Sequence, residues 1–347
     1  GKEMKKILAS MLSAAIVSAM LLTGCGSSGS APAADASAAG STPAADNTGG
    51  TATDYPTKQI SMIIQASPGG LSDTNARAIA QLVQEDLGVP VVCTNKPGAS
   101  GAVAMSFLQA SKPDGYTIGY VPVELSMVQA LGYATDVYPD AFDLISGCNT
   151  QPAAITVRAD SGWNSIEDLV NYAKENPGQL RVGNSGTGSI WQVAGDSFAN
   201  AAGIEVNQVP FDGAAPAVAG LMGKHIDMVS VSEFEVSSGV ASGELKILAV
   251  CSEERSKFNP DVPTLKELGY DVNVSAWGGF ALPKDTPDDV KEILYASFEK
   301  AVGSDSYAEL CAKNQYSPMP LKHDEFAAFA NEQYEFYKSY FEQNSVT

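Results

Sequence analysis

The sequence predicts an α/β protein of two lobes, and two observations lead to that fold class. Short β-branched segments alternate with amphipathic helical patterns between residues 59 and 121, which gives the order βαβαβ of a parallel sheet with crossover helices. The same alternation returns between residues 180 and 251. Because the segment 55–347 is long enough to bury more than one core, we expect each series to form its own lobe.

The elements follow from these patterns in order. The first series predicts a strand at 59–65, a helix to 87, a strand at 89–94, a helix to 111 and a strand at 116–121. The second series predicts a strand at 180–184, a helix to 202, a strand at 206–211, a helix through 222, and strands at 226–231 and 245–251.

The connections between the series predict the lobe boundaries. The short apolar segments 155–157 and 279–281 suit two strands that cross between the lobes and act as a hinge. Lobe 1 is therefore predicted to be 55–155 plus 282–347, and lobe 2 to be 156–281. The region after residue 287 shows apolar residues at helical spacing, and we expect those helices to pack on lobe 1.

The beginning of the chain has the pattern of a lipoprotein signal peptide, predicted at residues 1–24. Lys5 and Lys6 precede a short apolar run that ends in Leu21-Leu22-Thr23-Gly24 before Cys25. Cys25 is the predicted lipidation site. Residues 26–53 contain no Leu, Ile, Val or aromatic residue, so 25–54 is predicted to be a lipidated Cys followed by a flexible spacer. We therefore expect an extracytoplasmic protein anchored to a lipid bilayer.

Composition excludes several classes of function. The formal charge of −19 and the lack of a basic stripe argue against nucleic-acid binding. The two histidines, His225 and His323, lie in no ligand-like cluster, so we expect no metal site, no cofactor and no catalytic residue. The spacing of the remaining cysteines favours buried thiols, although an extracytoplasmic setting would also permit disulfides; these cysteines are Cys93, Cys148, Cys251 and Cys311. A monomer is expected.

The first candidate binding loop, 67–73, joins the first predicted strand to a helix. Ser72 or Asp73 could cap that helix, and two glycines let backbone N–H groups face a ligand carboxylate. A tight βα turn with a capped helix is the alternative interpretation. The candidate ligand-binding residues here are Ser67, Gly69, Gly70, Leu71, Ser72 and Asp73.

A second loop of this kind, 184–189, occupies the corresponding place in the second series. Its Gly-x-Gly is not a dinucleotide fingerprint, because Trp191 stands where the third glycine would be. We therefore interpret this loop as an anion-binding loop, rich in hydroxyl groups, at the start of a helix. Its candidate ligand-binding residues are Ser185, Thr187, Gly188 and Ser189.

Further candidates follow other predicted strands, whose carboxyl ends are where ligands bind in open α/β sheets. They are Glu124, Asp212, Gly213, Ser232 and Glu233. For the two glutamates, a solvated position at the rim is the alternative.

Eight segments together resemble the extracytoplasmic solute receptors of tripartite tricarboxylate transporters, the Bug family. The resemblance spans nearly all of 55–347. The segments are Tyr55-Pro56, Ser67-Pro68-Gly69-Gly70, Asn95-Lys96-Pro97-Gly98-Ala99-Ser100-Gly101, Lys112-Pro113-Asp114-Gly115-Tyr116-Thr117, Ser185-Gly186-Thr187-Gly188-Ser189, Val209-Pro210-Phe211-Asp212-Gly213-Ala214-Ala215-Pro216-Ala217, Asp261-Val262-Pro263-Thr264 and Trp277-Gly278-Gly279.

The resemblance implies a type II periplasmic-binding-protein-like fold, a Venus flytrap that holds a small organic acid or amino acid between its lobes and delivers it to membrane permease subunits. It implies that the loops 69–73 and 185–189 hold a ligand carboxylate. This chain differs from the family pattern at Gln192, where a histidine is frequent, and at Glu124 and Glu233, where amides or hydroxyls are more usual. Because two carboxylates would repel a dianion, we expect an amino-acid-like rather than a citrate-like ligand.

A transport receptor is the leading hypothesis for function. A surface hydrolase is the less favoured alternative, because the chain has no Gly-x-Ser-x-Gly elbow and neither histidine lies beside a candidate loop. A ligand sensor that signals to a membrane partner is a further alternative.

Overall fold

Two β-sheets organise the part of the chain that the computed structural model describes, residues 53–344. The strands are β1 Ile60–Ile64, β2 Val91–Asn95, β3 Thr117–Pro122, β4 Phe142–Pro152, β5 Ala154–Arg158, β6 Leu180–Asn184, β7 Val206–Pro210, β8 Met228–Val229, β9 Leu245–Val250, β10 Ser275–Pro283 and β11 Ser317–Pro318. The helices are α1 Leu71–Leu87, α2 Ala102–Gln109, α3 Ile166–Glu175, α4 Ile190–Ala202, α5 Ala214–Met222, α6 Glu233–Ala241, α7 Asp288–Val302, α8 Asp305–Lys313 and α9 His323–Gln343.

The two sheets confirm the predicted two-lobed α/β class, but they are mixed rather than parallel. The first has the order β11-β4-β10-β3-β1-β2 and the second β7-β6-β8-β5-β9. In the first sheet β1 is parallel to β2 and β3, and in the second β6 is parallel to β7 and β8, as the βαβ pattern predicts. The chain segments that pass between the sheets supply the antiparallel strands, which no βαβ pattern marks: β4 and β10 in the first, and β5 in the second.

The chain crosses between the sheets at two adjacent places. Ala153, the single residue between β4 and β5, donates its N–H to the carbonyl of Val274 at 2.9 Å and accepts from the N–H of Cys251 at 2.8 Å. Val274 in turn donates to the carbonyl of Cys251 at 3.0 Å. Backbone hydrogen bonds therefore tie the two crossings together, which is the arrangement of a hinge.

The predicted crossing segments were placed wrongly. Segment 155–157 lies inside β5, paired with β8 and β9 of the second sheet. Segment 279–281 lies inside β10, paired with β3 and β4 of the first sheet. The predicted boundary at 281 therefore assigns residues 275–281 to the wrong sheet. An apolar run marks a buried strand, but it does not show where the chain leaves the sheet.

Apolar helix faces cover both sheets. Leu294 and Phe298 of α7 join Ile60 and Met62 of β1 in a fully buried cluster on the first sheet. The helix α9 packs on β4, and the ring of its Phe326 lies 5.7 Å from that of Trp277 in β10. The predicted packing of the last helices on the first lobe is thus confirmed.

Two predicted strands have different bounds in the structure. The predicted strand 226–231 shortens to Met228–Val229, and the predicted strand 89–94 begins at Val91. The four cysteines after Cys25 are thiols. The signal peptide 1–24, Cys25 and nearly all of the spacer 25–54 lie outside the described residues. Within 53–344, no helix has the length and apolar character needed to cross a membrane.

Candidate functional site

A cavity of about 420 Å³ lies between the two sheets, and both predicted loops line it. Each loop follows the carboxyl end of a strand, which is where ligands bind in open α/β sheets. Ten of the predicted site residues line this cavity: Ser67, Gly70, Leu71, Ser72, Glu124, Ser185, Thr187, Ser189, Asp212 and Gly213. Five others lie outside the lining: Gly69, Asp73, Gly188, Ser232 and Glu233.

Asp73 holds the first loop in place from outside the cavity lining. One carboxylate oxygen accepts from the Gly69 N–H at 3.0 Å, and the other from Arg77 Nε at 2.8 Å and Asn95 Nδ2 at 2.9 Å. The helix N-cap is Gly70, without a side-chain cap, so neither Ser72 nor Asp73 is the cap. Because its oxygens are committed to the loop and to Arg77, Asp73 is structural rather than a cavity group.

The second loop uses several of its own N–H groups internally. Gly188 donates its N–H to Gln192 Oε1 at 2.6 Å, and Gly186 donates to Asn184 Oδ1 at 2.9 Å. The N-cap of α4 is Ser189, whose Oγ accepts from the Gln192 N–H at 3.2 Å. Gly188 has a φ of +76°, and a Cβ there would lie 2.8 Å from Leu131, so this position favours glycine.

A third loop adds the start of α5 to the cavity. Gly213 is the N-cap, with a φ of +135°, and no side chain caps this helix. Its first residues Ala214 and Ala215 line the cavity. The N-terminus of an α-helix carries unpaired N–H groups and a partial positive charge, so this end can accept a carboxylate.

The loops of the two sheets also touch each other beside the cavity. Ser67 Oγ donates to the Asp212 carbonyl. Ser100 Oγ and Tyr133 Oη both donate to the Thr187 carbonyl, at 2.7 and 3.0 Å. These contacts join the first-lobe loops to the second-lobe loops.

Two carboxylates, one from each lobe, contact the opposite lobe. Glu124, which follows β3 of the first sheet, accepts at its Oε1 from the Ile190 N–H at the start of α4, at 2.9 Å. Glu235, in α6 on the second sheet, interacts with the backbone N–H of Leu71 at the start of α1. Each lobe thus places a carboxylate at a helix N-terminus of the other lobe, the position that the sequence predicted for a ligand.

Both carboxyl groups have altered acidity. Burial is the largest cause and raises the pKa of Glu124 to about 7, although the Ile190 N–H opposes this. Burial likewise raises the pKa of Glu235 to about 7, opposed by hydrogen bonds from Ser232 and the Leu71 N–H. The charge of Glu124 adds to the rise at Glu235, which indicates that the two carboxylates repel each other.

Glu235 replaces Glu233 as the second cavity carboxylate. Glu233 is buried outside the cavity, and its Oε1 accepts from Asn259 Nδ2 at 2.6 Å. Ser232 donates its N–H and Oγ to Glu235 Oε2 at 2.9 and 2.8 Å. On a helix, the third residue after the cap reaches back toward it, so the Ser232-x-x-Glu235 pattern was the missed signal.

Sequence reasoning also missed several uncharged lining residues. Gln65, Tyr120, Tyr133, Trp191 and Trp277 all line the cavity. The sequence placed Gln65 and Tyr120 in predicted strands and Trp277 in a segment that resembles the family, and none of these placements marks a residue as part of a cavity. The lining contains three carboxylates, those of Glu124, Asp212 and Glu235, and no Lys, Arg or His. Residues 53–344 contain no cluster able to hold a metal ion.

The family model described as "Tripartite tricarboxylate transporter family receptor" matches residues 75–345. The chain belongs to this family. The match confirms the resemblance seen in the sequence, and it identifies the protein as an extracytoplasmic solute receptor rather than an enzyme.

Individual relatives of this receptor agree in length and fold. BugT of Bordetella pertussis is 29% identical over 288 residues, which is 80% of this chain and 87% of BugT. The periplasmic binding protein BugD is 27% identical with a TM-score of 0.78, over 84% of this chain and 99% of BugD. A structure described as a periplasmic transporter is 28% identical with a TM-score of 0.80, over 84% and 99% of the two chains.

Proposed function

We propose that this receptor captures a small carboxylate-bearing, amino-acid-like solute between its lobes and delivers it to a tripartite tricarboxylate-type membrane permease. The observation that carries the proposal is the shared cavity, lined by the N-terminal ends of α1, α4 and α5. The ends of α1 and α4 already face protein carboxylates, whereas that of α5 has no side-chain cap. The ligand carboxylate is therefore assigned to Ala214 and Ala215.

Capture in this proposal is a change in lobe position. The crossings at Ala153 and Val274 act as the hinge, and the solute favours the closed arrangement because it contacts both lobes there. The contacts of Ser67 and Ser100 with the opposite lobe add to that arrangement. Lipid attachment through Cys25 would hold the receptor near its permease, and the spacer gives it reach.

The test begins with natively purified protein and mass spectrometry of any small molecule that it retains. A carboxylate-bearing solute that also raises the melting temperature when added back supports the proposal, since a ligand at one hundred times its Kd contributes about 2.7 kcal/mol. Uptake of that solute by membranes carrying the permease, dependent on added receptor, tests delivery. A protein that neither retains nor responds to any carboxylate solute would contradict it.

A further inference from the structure

The charges around the cavity have only one sign. Glu124, Asp212 and Glu235 line it, and none of the other lining residues is basic. Glu124 is only 7% exposed and Glu235 is partly buried, and the two carboxylates lie close enough for the charge of Glu124 to raise the pKa of Glu235. A second negative charge on a solute would add to this repulsion, whereas a positive charge would remove it.

A buried amide beside these carboxylates indicates which kind of ligand group the cavity would bind. Gln65 lines the cavity at 9% exposure, and its Oε1 is buried without a hydrogen-bond partner in the described part of the chain. Its Nε2 donates to Ser72 Oγ at 2.8 Å, which places it next to the Leu71 N–H that faces Glu235. An unpartnered acceptor requires a donor, and the nearby carboxylates require a positively charged one.

We propose that Glu124 and Glu235 form a site between the lobes for the protonated amine of the solute, with Gln65 Oε1 as a further acceptor. This inference rests on the proposed receptor function and specifies its substrate class as a small amine with at most one carboxylate. An ammonium group has three N–H donors and no acceptor, which fits two carboxylates and one amide oxygen. Trp191 and Trp277 in the same lining can add aromatic contacts to a cation.

The site is completed only when the lobes meet, because each carboxylate comes from a different lobe. Glu124 belongs to the first sheet and reaches α4, while Glu235 belongs to the second and reaches α1. Closing without a cation brings these two negative charges together. An amine therefore favours closure directly, and a dicarboxylate of the same length opposes it.

The first experiment compares solutes of matched length. Thermal shifts are measured with α,ω-dicarboxylates, α,ω-amino acids and α,ω-diamines of two to six carbons, and with the standard amino acids. We expect stabilisation only by amine-bearing solutes. Stabilisation by the dicarboxylates alone would overturn the amine site and leave the receptor function standing, whereas no response in any series would count against the receptor function itself.

The second experiment uses Glu235→Gln and Glu124→Gln, which remove charge but keep an oxygen that can accept from the facing N–H. With the amine solute found above, each should weaken binding at least tenfold. Glu233→Gln is the matched control, since its carboxylate binds Asn259 outside the cavity, and its affinity should change less than twofold. Unchanged affinity in Glu235→Gln would overturn the proposal.

A third measurement needs no ligand. Because the double variant Glu124→Gln/Glu235→Gln lacks the repulsion, it should be more closed than the wild type, with a smaller radius of gyration by small-angle X-ray scattering near pH 7.5. Equal radii would show that the paired charges do not oppose closure. Circular dichroism and the Glu233→Gln control identify a variant that has merely unfolded.

Discussion

Glu124 Oε1 lies 2.9 Å from the backbone nitrogen of Ile190, although Glu124 follows β3 of the first sheet and Ile190 begins α4, which follows β6 of the second. A carboxylate thus occupies the start of α4 before any solute is considered. The companion contact between Glu235 and the Leu71 N–H makes the arrangement reciprocal. Because protein carboxylates already contact the starts of α1 and α4, the cavity differs from one in which both helix N-termini are free to bind an anion.

The first prediction concerns the pH dependence of stability. Burial raises the pKa of Glu124 and of Glu235 from 4.5 to about 7, so folding favours their protonated forms. Their stabilising contribution is therefore complete below about pH 4.5 and is lost as the pH rises through about 7. For each group the slope can reach about 1.4 kcal/mol per pH unit.

Urea denaturation of ligand-free protein between about pH 5 and 8 measures this slope. The unfolding free energy of the wild type should fall with pH relative to that of Glu124→Gln/Glu235→Gln, in which both titrating groups are absent. Parallel profiles for the two proteins would show that neither carboxyl has the raised pKa.

The second prediction separates structural from surface aspartates in α1. Asp73→Ala removes a buried carboxylate that holds Gly69, Asn95 and Arg77, so it should lower the unfolding free energy by about 3 kcal/mol. Asp86→Ala, in the same helix, removes an ion pair with the exposed Lys300 and should cost less than about 1 kcal/mol. Chemical denaturation compares them, and equal losses would refute the structural role of Asp73.

The third prediction concerns the close packing of β10. A Cβ on Gly278 would meet Tyr120 Oη at 1.8 Å, and that hydroxyl donates to Asn149 Oδ1 at 2.8 Å. Gly278→Ala should therefore displace a buried tyrosine and cost about 2 to 3 kcal/mol. Gly70→Ala is the control, because its nearest neighbour would be 3.9 Å away and its φ of −77° suits alanine. Similar stabilities of the two variants would contradict the packing at Gly278.

The fourth prediction concerns thiol reactivity. Cys93 is partly exposed in β2, whereas Cys148, Cys251 and Cys311 are buried, and burial raises the pKa of Cys251 to about 12 and that of Cys311 to about 11. Brief alkylation of native protein should therefore label Cys93 among these four, with the other three labelled only in denaturant. Peptide mass spectrometry gives the sites, and rapid native labelling of Cys251 would contradict its burial.

The sequence alone located the strands, helices and loops that local residue patterns encode. The βα alternation located β6 at 180–184 and the helices that follow both glycine-rich loops, because apolar periodicity reflects burial on a sheet. It also located the loops that line the cavity. It could not locate the crossings, since Ala153 and Val274 differ from other small apolar residues only through the partners they meet in the folded chain.

The roles of the acidic residues depended on tertiary contacts. Glu233 and Glu235 lie two positions apart on the same helix, yet one binds Asn259 and the other the first lobe. Asp73 was predicted to be a ligand contact and instead shapes the loop. Side-chain direction and the facing lobe decide these assignments, and neither is written in the local sequence.

The most direct test is the electron density of a crystal structure of natively purified protein or of its complex with an amine-bearing solute. We predict one small molecule in the cavity, with its nitrogen within hydrogen-bond distance of Glu124 and Glu235 and its carboxylate, if present, at the N–H groups of Ala214 and Ala215. A solute bound with a carboxylate between the two glutamates, or bound away from this cavity, would contradict it.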